Sequence, residues 1–102
     1  MSQSQISSHG ETGCISLPSR FDMMSSAEYR VPFIRFLVNS DTRKLVVDFS
    51  HLDYIDSSGI GTLISWEKTC REKGKALILS KCHARVVKIF RQTGVEPLFT
   101  FS

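Results

Sequence analysis

The chain of 102 residues has little cysteine, with only Cys14, Cys70 and Cys82. No two form a CxxC pair and three thiols cannot all pair with one another, which argues against a disulfide framework and for a reducing compartment. Long apolar runs are also missing, and nothing approaches the ~20 residues that a membrane span needs. The opening MSQSQISSHGETG has neither the basic start nor the apolar centre of a secretory leader. A soluble, cytoplasmic protein without membrane insertion is therefore expected. The excess of one charge over the other is small as well. The net value is +3, and the basic residues are dispersed among acidic ones rather than interleaved with aromatics on one element, so nothing points to nucleic acid.

The usual catalytic sets are absent too. His9, His51 and His83 are scattered through expected loops, and no GxSxG frame surrounds a serine. Adjacent Cys82 and His83 are a poor start for a tetrahedral metal site, and Cys14 and Cys70 read as small buried side chains. Gly59-Ile60-Gly61 begins like a GxGxxG nucleotide loop, but Ile64 stands at its third glycine and no P-loop lysine follows. No cofactor, no metal and no enzyme activity is expected.

What is present is one core's worth of apolar residue, 41%, arranged in alternating strand-like and helix-like segments. Cys14 to Leu17 reads as a short strand, with residues 1–12 as a weak N-terminal edge strand or a flexible segment before it. The spacing of Tyr29, Phe33, Ile34 and Leu37 predicts a helix over Ser26 to Val38, capped by Ser25 or Ser26 and kinked or delayed by Pro32. Lys44 to Phe49 is a near-continuous apolar run, as expected of a strand covered on both faces. Gly59 to Glu72 reads as an amphipathic helix closed by Gly74, Ala76 to Leu79 as a strand, Ala84 to Gln92 as a helix, and Leu98 to Phe101 as a last strand. Strands alternating with helices at this spacing predict an α/β fold: one domain over residues 1–102, with a largely parallel central sheet of 4–5 strands and amphipathic helices packed on it.

The segment Tyr-Ile-Asp-Ser-Ser-Gly-Ile-Gly, Tyr54 to Gly61, falls where the strand ending at Phe49 gives way to the next helix. In open α/β sheets ligands and chemistry collect at such junctions. One of Asp56, Ser57 and Ser58 as an N-cap accounts for one residue and not four. Gly59 and Gly61 each cost ~1 kcal/mol against alanine inside a helix, so either tight packing on the sheet or close approach of a partner must offset them. Composition leaves a structural junction and a functional site equally open. Among functional readings, a phosphorylated serine suits the place, because the first turn offers unpaired N–H groups and the positive end of the helix dipole to the added charge.

The run from Leu45 to Phe101 resembles the STAS domain of bacterial anti-sigma-factor antagonists. That pattern is an apolar strand, a Φ-D-S-[ST]-G-Φ-G junction, an amphipathic helix, K-x-x-G-x-Φ-x-Φ, and a helix ending in x-x-[ST]-G-Φ. The resemblance is dense over residues 44–101 and loose before them. It implies that Ser57 is the phosphoacceptor, with Asp56, Ser58 and Gly59 completing a recognition loop that Ile60 and Gly61 extend. It also implies a serine kinase or anti-sigma factor with a histidine-kinase-like ATPase fold as binding partner, and a PP2C-type phosphatase that reverses the modification. Pro18-Ser19-Arg20-Phe21-Asp22 departs from the family's G-E-L-D, and the family's last helix is expected to be missing, leaving Phe99 or Phe101 as an exposed apolar patch. On the helix after the junction, Ser65, Lys68, Thr69 and Arg71 are expected to face solvent and are candidates for contact, with a solvated face equally open; Trp66 is either an anchor or a core edge. The chain is expected to be a monomer or weak dimer. The alternative implied by the same resemblance is a constitutive subunit docked on the ATPase of a lipid-transport ABC assembly, in which Ser57 is a helix cap.

Overall fold

In the computed structural model, which describes residues 6–102, the elements run β1 (Ile6–His9), β2 (Thr12–Ser16), β3 (Arg20–Phe21), α1 (Met23–Glu28), α2 (Arg30–Val38), β4 (Lys44–Asp48), β5 (Tyr54–Ile55), α3 (Ser57–Glu72), β6 (Ala76–Ser80), α4 (Ala84–Gln92) and β7 (Thr100–Phe101). The first five residues of the expected N-terminal edge strand lie outside the described residues. The main sheet has the order β1-β2-β4-β6-β7, with β1 antiparallel to β2 and every other pair parallel.

Period-two alternation sets the faces of this sheet. Ile15, Val47 and Leu79 lie in one register row and are fully buried, and the row of Gly13, Leu45 and Leu77 is buried beside them. The row between, Cys14, Val46 and Ile78, points the other way and is only half-buried. The apolar run in β4 therefore does not mean two covered faces: one face is sealed and the other is partly open. Against the sealed face the helices bury Phe33, Leu63, Trp66, Cys70, Val86 and Phe90 in one continuous core. Phe33 and Trp66 stack at 4.6 Å, so Trp66 is a core residue.

The helix expected over Ser26 to Val38 is two helices. It begins earlier because Asp22, not Ser25 or Ser26, is the cap: its Oδ1 accepts from the Ser25 N–H (3.0 Å), while Ser25 Oγ accepts from the Asp22 N–H (2.9 Å). The break falls at Tyr29. Pro32 has no N–H to give to the Glu28 carbonyl, so a continuous helix loses that bond, whereas in the first turn of a new helix the missing donor costs nothing. The restart turns Phe33 and Phe36 inward and leaves Ile34 exposed.

At the C-terminal side the strand expected from Leu98 is shorter. Glu96–Leu98 forms a single 3-10 turn, held by a bidentate Arg91–Glu96 pair (both 3.1 Å), and pairing with β6 starts only at Thr100. Phe99 is not an exposed patch but is buried 5.4 Å from the Phe90 ring, and Phe101 is half-buried against the same ring. Among the described residues no helix is long and apolar enough to cross a membrane.

Candidate functional site

A second, two-stranded sheet builds the junction. β3 and β5 run parallel, with Arg20 opposite Tyr54 and Phe21 opposite Ile55. Asp56 leaves β5 in extended conformation, and its Oδ1 accepts from the Gly59 N–H at 2.9 Å. The cap of α3 is thus the aspartate. Ser57 is the first helical residue and is exposed, and no hydrogen bond within the described residues engages its hydroxyl. Ser57 and Ser58 also present first-turn N–H groups, which have no helical acceptor.

The two glycines serve different ends. A methyl group at Gly59 would collide with the Phe21 carbonyl oxygen and stand 2.9 Å from Ile55 Cγ1, so Gly59 is what lets α3 lie on the small sheet. At Gly61 nothing lies within 4 Å of that position. Tight packing accounts for the first glycine; open space surrounds the second.

The residues singled out in the sequence separate by depth. Ser57, Gly61, Ser65 and Lys68 are all exposed and follow the i, i+4, i+8, i+11 spacing of one helix face, an outward stripe along α3. Gly59 and Ile60 are buried, and Asp56 and Ser58 are half-buried, with the Ser58 carbonyl accepting from Thr62 Oγ1 (2.9 Å). Thr69 is half-buried and donates from Oγ1 to the Ser65 carbonyl (2.8 Å), while Arg71 is exposed and pairs with Glu67 (2.7 Å).

Residues not counted among the candidate contacts also meet here. The Arg20 guanidinium lies 4.2 Å from the centre of the Tyr54 ring and 3.6 Å from Asp22. The Ser25 backbone N–H, above all, holds the Asp22 carboxyl below the ordinary carboxylate range. The signal was present as the paired tripeptides Arg20-Phe21-Asp22 and Tyr54-Ile55-Asp56, each ending in an acid one residue before a helix. The cysteines lie outside this junction. Burial pushes the Cys70 thiol up to about 12 and Cys82 to about 11, which leaves both protonated and weakly nucleophilic at neutral pH. Among the described residues no group of three His, Cys, Asp or Glu side chains is placed to hold a metal ion.

A parallel sheet with an Asp-capped helix start carrying an exposed serine defines a small α/β domain of known kind. Residues 3–102 match the STAS domain family, and the chain belongs to it. A STAS-domain containing protein of Pseudomonas aeruginosa strain UCBPP-PA14 is 28% identical over 96 residues, spanning 94% of this chain and 93% of that protein. The fold is shared with the Bacillus cell fate determinant SpoIIAA, an anti-sigma factor antagonist, in its phosphorylated form: TM-score 0.75 at 20% identity, over 96% of this chain and 89% of that one. It is shared too with part of the murine anion transporter Slc26a9, TM-score 0.74 at 22% identity, over 87% of this chain and 15% of the transporter.

Proposed function

We propose that the protein is a phosphorylation-controlled binding switch and not an enzyme. Its unmodified form binds a serine kinase or anti-sigma factor with a histidine-kinase-like ATPase fold; transfer of a phosphoryl group from the kinase's ATP to the Ser57 hydroxyl releases it, and a PP2C-type phosphatase restores it. The observation that carries this reading is the division of labour at the junction. Asp56 already caps α3, and among the described residues no hydrogen bond engages the exposed Ser57 hydroxyl beside it. The added charge of about −1.5 to −2 would sit at the N-terminal end of a 16-residue helix, where first-turn N–H groups and the dipole accommodate it. The partner's footprint is the outward stripe of Ser57, Gly61, Ser65 and Lys68, with Asp56, Ser58, Gly59 and Ile60 shaping the turn that presents it. Open space at Gly61 suits the close approach that in-line phosphoryl transfer needs.

The test is the intact mass of the protein from its native host, before and after PP2C-type phosphatase treatment, with the site mapped by fragmentation. One phosphatase-sensitive phosphoryl group on Ser57 is the expected result. A chain unmodified under every growth condition and copurifying with a transporter ATPase would replace this reading with a constitutive docking subunit.

A further inference from the structure

Helix α2 is apolar on both sides. Pro32, Phe33 and Phe36 face the core, while Val31, Ile34 and Val38 are 55%, 48% and 75% exposed. At 100° per residue the outward arc runs Arg30, Ile34, Val38, Val31, Arg35, an apolar seam with an arginine on each side. The α2 sequence RVPFIRFLV has no carboxylate, and among the described residues neither arginine takes part in an ion pair. Beside the seam, a groove of about 300 Å³ lies between α3 and the α1–α2 pair, with Ser26 and Ala27 of α1 in its lining. Arg30 and Ile34 of α2 and Thr62 and Ser65 of α3 line it, together with the nearly buried Phe33 and Trp66.

We propose that this groove and seam dock a partner segment that is apolar on one side and acidic on its flanks. Three features select that occupant. The recess over Phe33 and Trp66 accepts a side chain, which a flat bilayer surface does not supply. Arg30 and Arg35 attract carboxylates along both borders of the seam, where desolvation at a contact strengthens the attraction. A second copy of the chain docked face to face would bring four arginines into one patch, which charge repulsion opposes. An amphipathic helix laid in a groove, reading apolar anchors at i, i+3, i+4 and i+7, matches the shape.

The test uses the full chain and a fluorescent helical peptide with leucines on one side and glutamates on the other, compared with its lysine counterpart and with phosphatidylglycerol vesicles. Binding is followed by anisotropy and located by the indole N–H resonance of Trp66, the chain's single tryptophan. The glutamate peptide should bind saturably and move that resonance, and Ile34→Ser and Arg30→Glu should each weaken it by about tenfold. Both positions are exposed, and an acid at the first residue of α2 suits the helix dipole, so the fold is retained. Arg30→Glu should also shift preference toward the lysine peptide. Failure of the glutamate peptide to bind, equal binding of both peptides by the unaltered chain, or indifference to both substitutions would overturn the proposal. Vesicles moving the Trp66 resonance where the peptide does not would assign the surface to lipid instead.

Discussion

Asp22 and Asp56 are equivalent residues: each follows a strand of the two-stranded parallel sheet, and each caps the helix that begins with the next residue. The pairing of Phe21 with Ile55 therefore starts α1 and α3 side by side, and it puts Met23 and Ser57, both exposed, at matching first-turn positions. Ser57 is held in place by its neighbours on either side in sequence, while among the described residues its own hydroxyl makes no hydrogen bond.

Substitutions at Ser57 and Asp56 should therefore separate. Ser57→Ala should change stability by less than about 0.5 kcal/mol and keep partner binding while abolishing phosphorylation. Asp56→Ala should cost about 1 kcal/mol in urea unfolding, because the Gly59 N–H loses its acceptor. Ser57→Asp should leave the fold intact and weaken the kinase complex measured by calorimetry. Loss of stability in Ser57→Ala equal to that in Asp56→Ala would return the serine to a capping role.

The glycines two residues apart in α3 should respond with opposite signs. Gly59→Ala forces a methyl group into the Phe21 carbonyl and Ile55, and should lower stability by roughly 3 kcal/mol. Gly61→Ala meets nothing within 4 Å and should raise it by roughly 0.5–1 kcal/mol. Thermal unfolding of the two variants side by side is enough to tell.

Lys75, just before β6, ends α2 from a distance. Its Nζ donates to the carbonyls of Phe36 (3.2 Å) and Asn39 (2.7 Å) and to Thr42 Oγ1 (3.2 Å), and lies 4.9 Å from the centre of the Phe36 ring. Lys75→Met keeps much of the aliphatic stem but removes a charged donor from two helix-terminal carbonyls, which keep donors from Asn39 and Thr42, and should cost about 1 kcal/mol. Amide hydrogen exchange should rise most over Phe36 to Thr42; a uniform rise across the chain would contradict so local a role.

Alkaline pH should destabilise the protein through groups kept protonated by burial. In the folded chain Cys70 and Tyr29 titrate at about 12 and Cys82 at about 11, against ordinary values of 9.0, 10.0 and 9.0. Between those limits the folded state binds more protons than the unfolded state, so unfolding free energy falls as pH rises. Their contribution is complete below pH 9 and declines from there toward pH 12. The urea midpoint should thus be flat from neutral pH to about 9 and then drop, with a shallower drop in Cys70→Ala.

The parts legible in the sequence are those where one periodicity dominates. β4 and β6 are apolar runs, and α3 and α4 carry their apolar residues at helical spacing, so their type and order followed from the residues. What escaped depends on pairings distant in sequence or on competition between local signals. The β3–β5 ladder is only two residues long on each strand and brings together segments more than thirty residues apart. Ser25 and Ser26 look like caps because the apolar pattern begins after them, yet Asp22 takes the cap and Ser25 answers it. Phe99 was expected as an exposed patch, whereas the 3-10 turn at Glu96 redirects it onto Phe90. Within the candidate site, the motif gave the eight residues Tyr54 to Gly61 but not which of them face inward. Burial of Ile60 and Gly59 is set by where α3 meets Phe21, and no local pattern states that.

The order of the main sheet, β1-β2-β4-β6-β7, is also the order of the chain. Each strand joins the edge left by its predecessor, and none must be threaded between two that are already paired. A chain growing from a ribosome can therefore complete this sheet by addition on one side, with each finished edge serving as template for the strand synthesised next. The last increment is small, with two residues of β7 and the Ser102 N–H closing on the Leu79 carbonyl at 2.9 Å.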